Sequence, residues 1–558
     1  MARIAVIGAG MGAMAAAARL AVAGHGVVVY ERGATHGGAL GHRTRDGFAF
    51  DTGPVLLTLP AVYRDLFVKT GRKSLEDRLG LTQVEPAVRH LFGDGTRVDL
   101  PNASRAGVGR ALDAALGAGS GERWAAFVNR AREAWDRSRR PLLEEPLWPN
   151  WQVLAEREPY PAVPRRRLLR RELTATTLAE IAALELGGEP RLRALLEQYA
   201  LAAGLDPRTA PASAAVLPYM EQTFGLWSVE GGMRALADAL YERCRERRVR
   251  FRFGTPVRRV VIRGGRAVGV AVDAGAEDAG AEGTAAAQAE AGGGPATTVV
   301  GEGGHVVEEG SLVVEEADYV VAGVAPDVLD SLLDGVPARE ETGVPAQRTA
   351  LSRVTLLLAL RGARPPEAAC RTVVHTPDRE GELAALFGAE PGLPERPTVT
   401  VHRLPDPSLV PDPDHEAVTV TATVPATTGG TATGGEATGG AADDDAVSAP
   451  SPGPFASFAD RMTAAARREI PDLDGRLLWR EVRTPREVEA ATGTAGVPAP
   501  ALAAGGGRWL HPANSTAVAG LFTVGGWSHP GGGLAHAGMS GALVAGLIVE
   551  GPDFRGSQ

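Results

Sequence analysis

RIAVIGAGMGAMAAAARLAVAGHGVVVYE, residues 3–31, opens with a short β-branched run that reads as a buried parallel strand. Glycines follow at once, as Gly8-Ala9-Gly10-Met11-Gly12-Ala13, the G-x-G-x-x-A form of the dinucleotide fingerprint. An alanine-rich helix is predicted over 14–23, then a second strand over 27–31 that ends in Glu31. Each position has a physical task. Gly8 makes the tight turn, Gly10 lets a pyrophosphate approach the backbone, and Ala13 keeps helix and strand close. The helix N-terminus offers free N–H groups and positive potential to phosphate. Glu31 stands where a carboxylate accepts from ribose hydroxyls.

Two further glycine segments carry the argument outward. Gly37-Gly38-Ala39 follows the acid, and the DGFAFDTGP run (46–54) ends in Asp51-Thr52-Gly53-Pro54. Gly-Gly lets backbone N–H groups face a phosphate or ring edge, and a Gly-Pro turn is a rigid place to lay backbone on a flat ligand. Near the C-terminus, residues 520–550 read GLFTVGGWSHPGGGLAHAGMSGALVAGLIVE: a strand, a loop with Gly525, Gly526 and Gly533, and Gly538-Met539-Ser540-Gly541 opening an apolar helix.

These blocks resemble the phytoene desaturase (carotenoid desaturase) family of FAD-dependent amine-oxidase-like oxidoreductases. The shared motifs are the fingerprint, Glu31-Arg32, Gly37-Gly38, D-G-F-x-F-D-x-G-P, the W-x-x-x-G-G-M run at Trp227–Met233, A-D-x-V-V from Ala317, P-G-G-G-L and G-M-S-G. The resemblance runs over most of the chain. One departure is Ala39, where the family usually has Arg or Lys; His42 or Arg43 is the expected substitute for the lost charge. The resemblance implies an α/β fold: a Rossmann-type FAD-binding domain (GR2-like), a mixed-sheet substrate domain and a helical, membrane-facing subdomain. It implies FAD at the residues above, with Arg32, Thr52 and Pro54 included and Val257 pairing its backbone with adenine. The C-terminal block would lie on the flavin. The implied division is 1–100, 221–330 and 501–558 for FAD, 101–220 for the helical part and 331–500 for substrate.

The implied reaction moves hydride from an apolar isoprenoid or polyene to flavin N5, with a quinone or oxygen as final acceptor. Alignment in an apolar tunnel would then matter more than acid–base groups. Phe224, Leu226 and Trp227 are the substrate candidates, and His529, His536 and Trp527 the candidates beside the flavin. Alternatives from the same family are a cyclase, isomerase or saturase acting on a polyene or polyketide. An amine oxidase would need an aromatic cage, and aromatic residues are only 5% of the chain. A non-enzymatic flavoprotein or lipid chaperone is the rival outside enzymology.

Composition narrows the field further. The chain has 558 residues, enough for several domains and a large core. A net charge of −9 argues against nucleic-acid binding. Cys244 and Cys370 form no C-x-x-C, which excludes a redox dithiol, a disulfide framework and a thiolate zinc site; no metal site is read. No P-loop, H-E-x-x-H or G-x-S-x-G occurs, and a single fingerprint speaks against a separate nicotinamide domain. No apolar run reaches 18 residues. The expectation is a cytoplasmic protein with peripheral contact at the inner membrane face. An arginine-rich run (164–171) near Trp148 and Trp151 is the contact candidate, weighed against a solvated helix face. Residues 60–215 are read as mainly helical, with helices either side of Gly187-Gly188. The stretches 273–310 and 425–452, rich in Gly and Ala without apolar periodicity, are read as flexible surface insertions.

Overall fold

The computed structural model describes residues 1–147, 151–165, 171–274, 307–308, 312–338, 351–426 and 453–556. Most of the two Gly/Ala-rich insertions, the centre of the arginine-rich run and Trp148 lie outside the described residues.

A five-stranded parallel sheet organises the molecule. Its order is Arg250–Arg252, Gly26–Tyr30, Arg3–Ile7, Tyr319–Ala322 and Leu521–Thr523, so strands from both ends of the chain meet in it. The N-terminal strands are buried on both faces, which is why they are continuous apolar runs. The Met11–Val22 helix covers one face. Its small side chains let the C-terminal helix, Leu534–Val549, lie close against it: a Cβ on Gly541 would sit 2.7 Å from the Ala15 Cβ and 2.7 Å from the Gly12 carbonyl oxygen. An antiparallel sheet built on the Val257–Arg263 and Arg266–Asp273 hairpin flanks the parallel one.

The second large unit is a seven-stranded mixed sheet in the order Leu477–Arg483, Leu351–Arg361, His415–Pro425, Val399–His402, Arg371–Val374, Val88–Leu91, Arg97–Leu100. Val418, Val420, Ala422 and Val424 alternate with Thr419, Thr421 and Thr423 along one strand. The Val set packs beneath the Pro454–Ala466 helix with Phe458 and Met462. The threonine set therefore lies on the opposite face. Helices Ser120–Arg139, Leu178–Glu185, Pro190–Ala202 and Val216–Phe224 form a third, largely apolar cluster around Trp124 and Phe127.

The expectation of a mainly helical 60–215 does not hold at 81–100, which forms three short strands, Leu81–Gln83, Val88–Leu91 and Arg97–Leu100. The cause is local. The Phe92–Arg97 connection turns through Gly95 at φ +87, a hairpin conformation, and strand pairing outcompetes helix there. The flanks of the arginine-rich run are also strands, Val163–Arg165 paired with Arg171–Leu173, not a helix face. Among the described residues no helix is long and apolar enough to cross a membrane.

Candidate active site

The first turn of the Met11–Val22 helix has no side-chain cap and no acidic residue, so its N–H groups remain available to an anion. Gly10 caps it at φ −73, and a Cβ built there meets nothing within 4 Å. The Gly37-Gly38 loop closes one side: Gly37 N–H donates to the Ala9 carbonyl at 2.9 Å, and a Cβ on Gly38 would lie 3.0 Å from the Gly10 Cα. The C-terminal block closes another: a Cβ on Gly12 would be 2.8 Å from the Gly525 Cα. Gly525 itself adopts φ +101, a glycine conformation, and faces open space. Glu31 accepts from Ala9 N–H and Gly33 N–H, both at 2.7 Å, one on each carboxylate oxygen. Each oxygen keeps a lone pair for a sugar hydroxyl. A cradle with an unblocked glycine, a free helix start and a placed carboxylate fits the pyrophosphate and ribose of a dinucleotide.

Other predicted cofactor residues have different tasks. Arg32 reaches away and donates to the Ala490 carbonyl at 2.8 Å. His42 is exposed, and Arg43 pairs with Glu481, so neither replaces the charge missing at Ala39. The nearby cation is Arg234, unforeseen from the sequence. It donates to the His36 carbonyl (2.7 Å) and the Thr35 hydroxyl (2.8 Å), pinning the loop that leads into Gly37. Gly53 abuts the Ala39 carbonyl so closely that no side chain fits, and Thr52 N–H bonds the Gly41 carbonyl; Pro54 follows, half-buried. Val257 is half-buried at the start of its hairpin, just past Thr255, whose N–H bonds the Glu31 carbonyl. Gly538 and Met539 do not open the C-terminal helix but lie inside it. Gly538 touches Val62 and Tyr63, and Met539 packs on the helical cluster. Gly526 leans on Pro498, and Gly533 is the exposed residue that starts the helix.

The three candidates beside the flavin differ as well. His529 is fully buried and its Nε2 lies 2.9 Å from the Glu145 carbonyl; burial pushes its pKa down to about 4. It is a neutral, buried histidine that ties the glycine loop to the Glu145 carbonyl at the end of the Arg140–Glu144 turn. His536 is half-buried in the first turn of the last helix, also lowered to about 4 by burial. Trp527 is half-buried in the glycine loop. The substrate candidates diverge: Phe224 ends the Val216–Phe224 helix, and Leu226 and Trp227 alternate along the strand that follows. Phe224 packs near Trp135 (6.0 Å between ring centroids), Leu226 is buried with Val84 and Cys370, and Trp227 lies under Arg64.

Asp51 is a helix cap. Its carboxylate accepts from Met233 N–H (2.8 Å) and Arg234 N–H (3.1 Å) at the start of the Met233–Glu246 helix. Burial outweighs those bonds and raises its pKa to about 6. An acid whose folded pKa exceeds its unfolded value favours folding at low pH, and that contribution is lost as pH rises through the folded value. We therefore expect the unfolding free energy of the protein, relative to an Asp51→Asn variant, to fall by about 2 kcal/mol between pH 4 and pH 7. Urea titrations at the two pH values measure it; a constant difference would refute the assignment.

Sequence reading missed a polar group on the threonine face of the seven-stranded sheet. Arg371 and His402 are directly opposed across neighbouring strands. Arg371 Nη1 donates to Glu221 at 2.7 Å, and the Tyr199 hydroxyl donates to the same carboxylate at 2.8 Å. His402 lines a small cavity with Thr419, Ala417, Phe50 and Asp51. Burial, together with Arg371 and Arg353, pushes its pKa down to about 3. The Thr419–Thr423 alternation was the available signal, since an apolar sheet face would not carry it.

Residues 14–289 match the family described as flavin containing amine oxidoreductase. A zeta-carotene-forming phytoene desaturase of Myxococcus xanthus is 33% identical over 285 residues, 49% of this chain and 51% of that protein. A 4,4'-diapolycopene oxygenase of Methylomonas sp is 32% identical over 268 residues, 48% and 52% of the two chains. The match thus spans about half the length of these relatives. An oxidoreductase structure from Methanosarcina mazei superposes with a TM-score of 0.58 at 15% identity, covering 97% of this chain and 99% of that one. A putrescine oxidase structure gives 0.57 at 14%, covering 98% and 99%. These two likenesses establish the fold.

Proposed function

We propose that this chain is a desaturase-type oxidoreductase of the flavin containing amine oxidoreductase family, taking FAD as its cofactor and acting on a polyene or isoprenoid. The observation that carries the reading is the meeting of Gly10, Gly12 and Gly525, from opposite ends of the chain, in one cradle. The Gly8–Ala13 turn and the Gly37-Gly38 loop would hold the pyrophosphate, Glu31 the ribose, and Gly525 would border the flavin. FAD supplies a hydride acceptor for a C–H bond that offers the protein nothing to hydrogen-bond. The chain's part is to position that bond, keep water out and hold His529 and His536 neutral. Desaturation would remove a hydride and a proton from adjacent carbons as the double bond forms, with a quinone or oxygen as the final electron acceptor. In this reading the helical cluster and the seven-stranded sheet bound the substrate, and the parallel sheet bears the cofactor.

The polar sheet face favours a second reading within the family, oxidation or tailoring of a polyene that already carries oxygen. One experiment addresses both. The FAD-loaded protein is mixed anaerobically with phytoene in liposomes and followed at the flavin absorbance band. Bleaching is expected for desaturation of a hydrocarbon. A band unmoved by phytoene but bleached by an oxygenated polyene would give the second reading. A band unmoved by either would overturn the proposal.

A further inference from the structure

One helix grips the loop that carries Gly37-Gly38. From Gly33 to Gly41 that loop has no Lys or Arg of its own. Its entry is fixed separately: Gly33 N–H donates to Glu31 at 2.7 Å, and the Gly33 carbonyl accepts from Gly254 N–H at 2.9 Å. Its exit is laid on the fingerprint, with Gly37 N–H on the Ala9 carbonyl at 2.9 Å. Between these ties, Thr35 and His36 are held from the Met233–Glu246 helix. Arg234, Asp238 and Tyr241 stand at i, i+4 and i+7, so they share one face of it.

The Arg234 fork is divided among three acceptors. Nη1 donates to the His36 carbonyl (2.7 Å), Nη2 to the Thr35 hydroxyl (2.8 Å) and Nε to the Asp238 carboxylate (2.8 Å). The His36 Nε2 lies 2.9 Å from the same Asp238 oxygen, and its ring stacks on Tyr241 with 4.1 Å between centroids. The Arg234 side chain is 15% exposed, so these bonds are largely shielded from water. The helix behind them is itself anchored. Leu236, Ala237, Leu240 and Cys244 are buried in the core shared with the Met11–Val22 helix, and Asp51 caps its start. A Cβ on Gly37 would lie 3.2 Å from Arg234 Nη1, which puts the cation directly behind the glycine pair that abuts Gly10.

Resting on the FAD reading, we propose that Arg234 is a positioning residue for the FAD pyrophosphate: it holds the Gly37-Gly38 loop against Gly10 and sets a positive charge behind a loop that has none. Its planar fork meets three acceptors at once, which the point charge of a lysine does not reproduce. Loss of the grip releases residues 34–36 while Gly33 stays tied to Glu31 and Gly254. The pyrophosphate site then loosens, and the adenosine end at Glu31 does not.

The test is titration of the flavin-free protein with FAD, read by quenching of flavin fluorescence, and with ADP and adenosine, read by ligand-observed NMR. None of these readouts needs turnover. Arg234→Met is expected to weaken FAD and ADP alike, by roughly 10- to 100-fold, the order of one or two charge-assisted hydrogen bonds, and to leave adenosine unchanged. Arg234→Lys is expected to recover only a minor part of the loss. Thr35→Val, at an exposed loop position, removes one acceptor without touching the core and is expected to weaken FAD and ADP several-fold. It decides the matter if Arg234→Met does not fold: an unchanged FAD affinity in Thr35→Val would then overturn the proposal. So would wild-type affinities in Arg234→Met, full recovery by Arg234→Lys, or a loss shared equally by adenosine, and each of these leaves the cofactor reading standing. Failure of the unsubstituted protein to bind FAD would overturn the cofactor reading and this proposal with it.

Discussion

Gly10→Val is expected to yield a folded protein that no longer holds FAD. The two glycines flanking Met11 respond to different constraints. Gly10 has an ordinary φ of −73 and nothing within 4 Å of the position a Cβ would take. A valine there is tolerated by the chain, and its methyl groups project into the space above the uncapped helix start. A pyrophosphate needs that space to reach the N–H groups. The expected loss in FAD affinity is at least 100-fold, with thermal unfolding of the flavin-free protein shifted by no more than a degree or two. Gly12 is the contrasting case. A Cβ there would be 2.8 Å from the Gly525 Cα and 3.0 Å from the Ala537 carbonyl oxygen, both backbone. Gly12→Val must push the two helices apart and should cost stability with or without flavin, by roughly 1–3 kcal/mol. Apo-protein melting separates the two variants, and FAD titration by fluorescence quenching measures the first. Retention of flavin by Gly10→Val would show that the open space is not where the pyrophosphate lies.

The same contrast explains what could be read from the chain alone. Gly8, Gly10, Gly12 and Glu31 are legible because their spacing is dictated by one local unit of strand, turn, helix and strand, about thirty residues that specify their own geometry. Gly538 and Arg32 stand in equally recognisable motifs, yet their neighbours are Val62 and Ala490, far away in sequence. A motif fixes residue type without saying which of its tasks the tertiary structure selects. Arg234 shows the reverse. The sequence lacks the expected base at Ala39, and the loop is instead tied from a helix nearly two hundred residues later. The Val88–Leu91 strand was hidden for a related reason: beyond its hairpin partner it pairs with Arg371–Val374, which local periodicity cannot reveal. The polar group on the threonine face is of this kind throughout: Tyr199, Glu221, Arg371 and His402 come together only when two helices are laid across two strands.

On the other side of that sheet the largest loss of stability is expected from Arg403→Met. Arg403 directly follows His402 and is 1% exposed. It donates twice to Glu416, at 2.7 and 2.9 Å, and Glu416 is equally buried. Arg476 also donates to Glu416, at 2.8 Å, while Arg89 bridges Glu469 and Asp99 alongside. Removing Arg403 leaves the Glu416 charge with a single partner in a site that water scarcely reaches. Breaking a buried pair from one side costs on the order of 3–5 kcal/mol, because the remaining ion is uncompensated. Replacing both members with apolar groups removes that penalty, so Arg403→Met with Glu416→Leu should recover most of the loss. Hydrogen exchange of the Val399–His402 and His415–Pro425 amides is the suitable measurement, since a chain of this size need not unfold in one step. Equal losses in the single and double variants would mean that the cost does not come from an uncompensated Glu416 charge and that apolar side chains do not replace the pair.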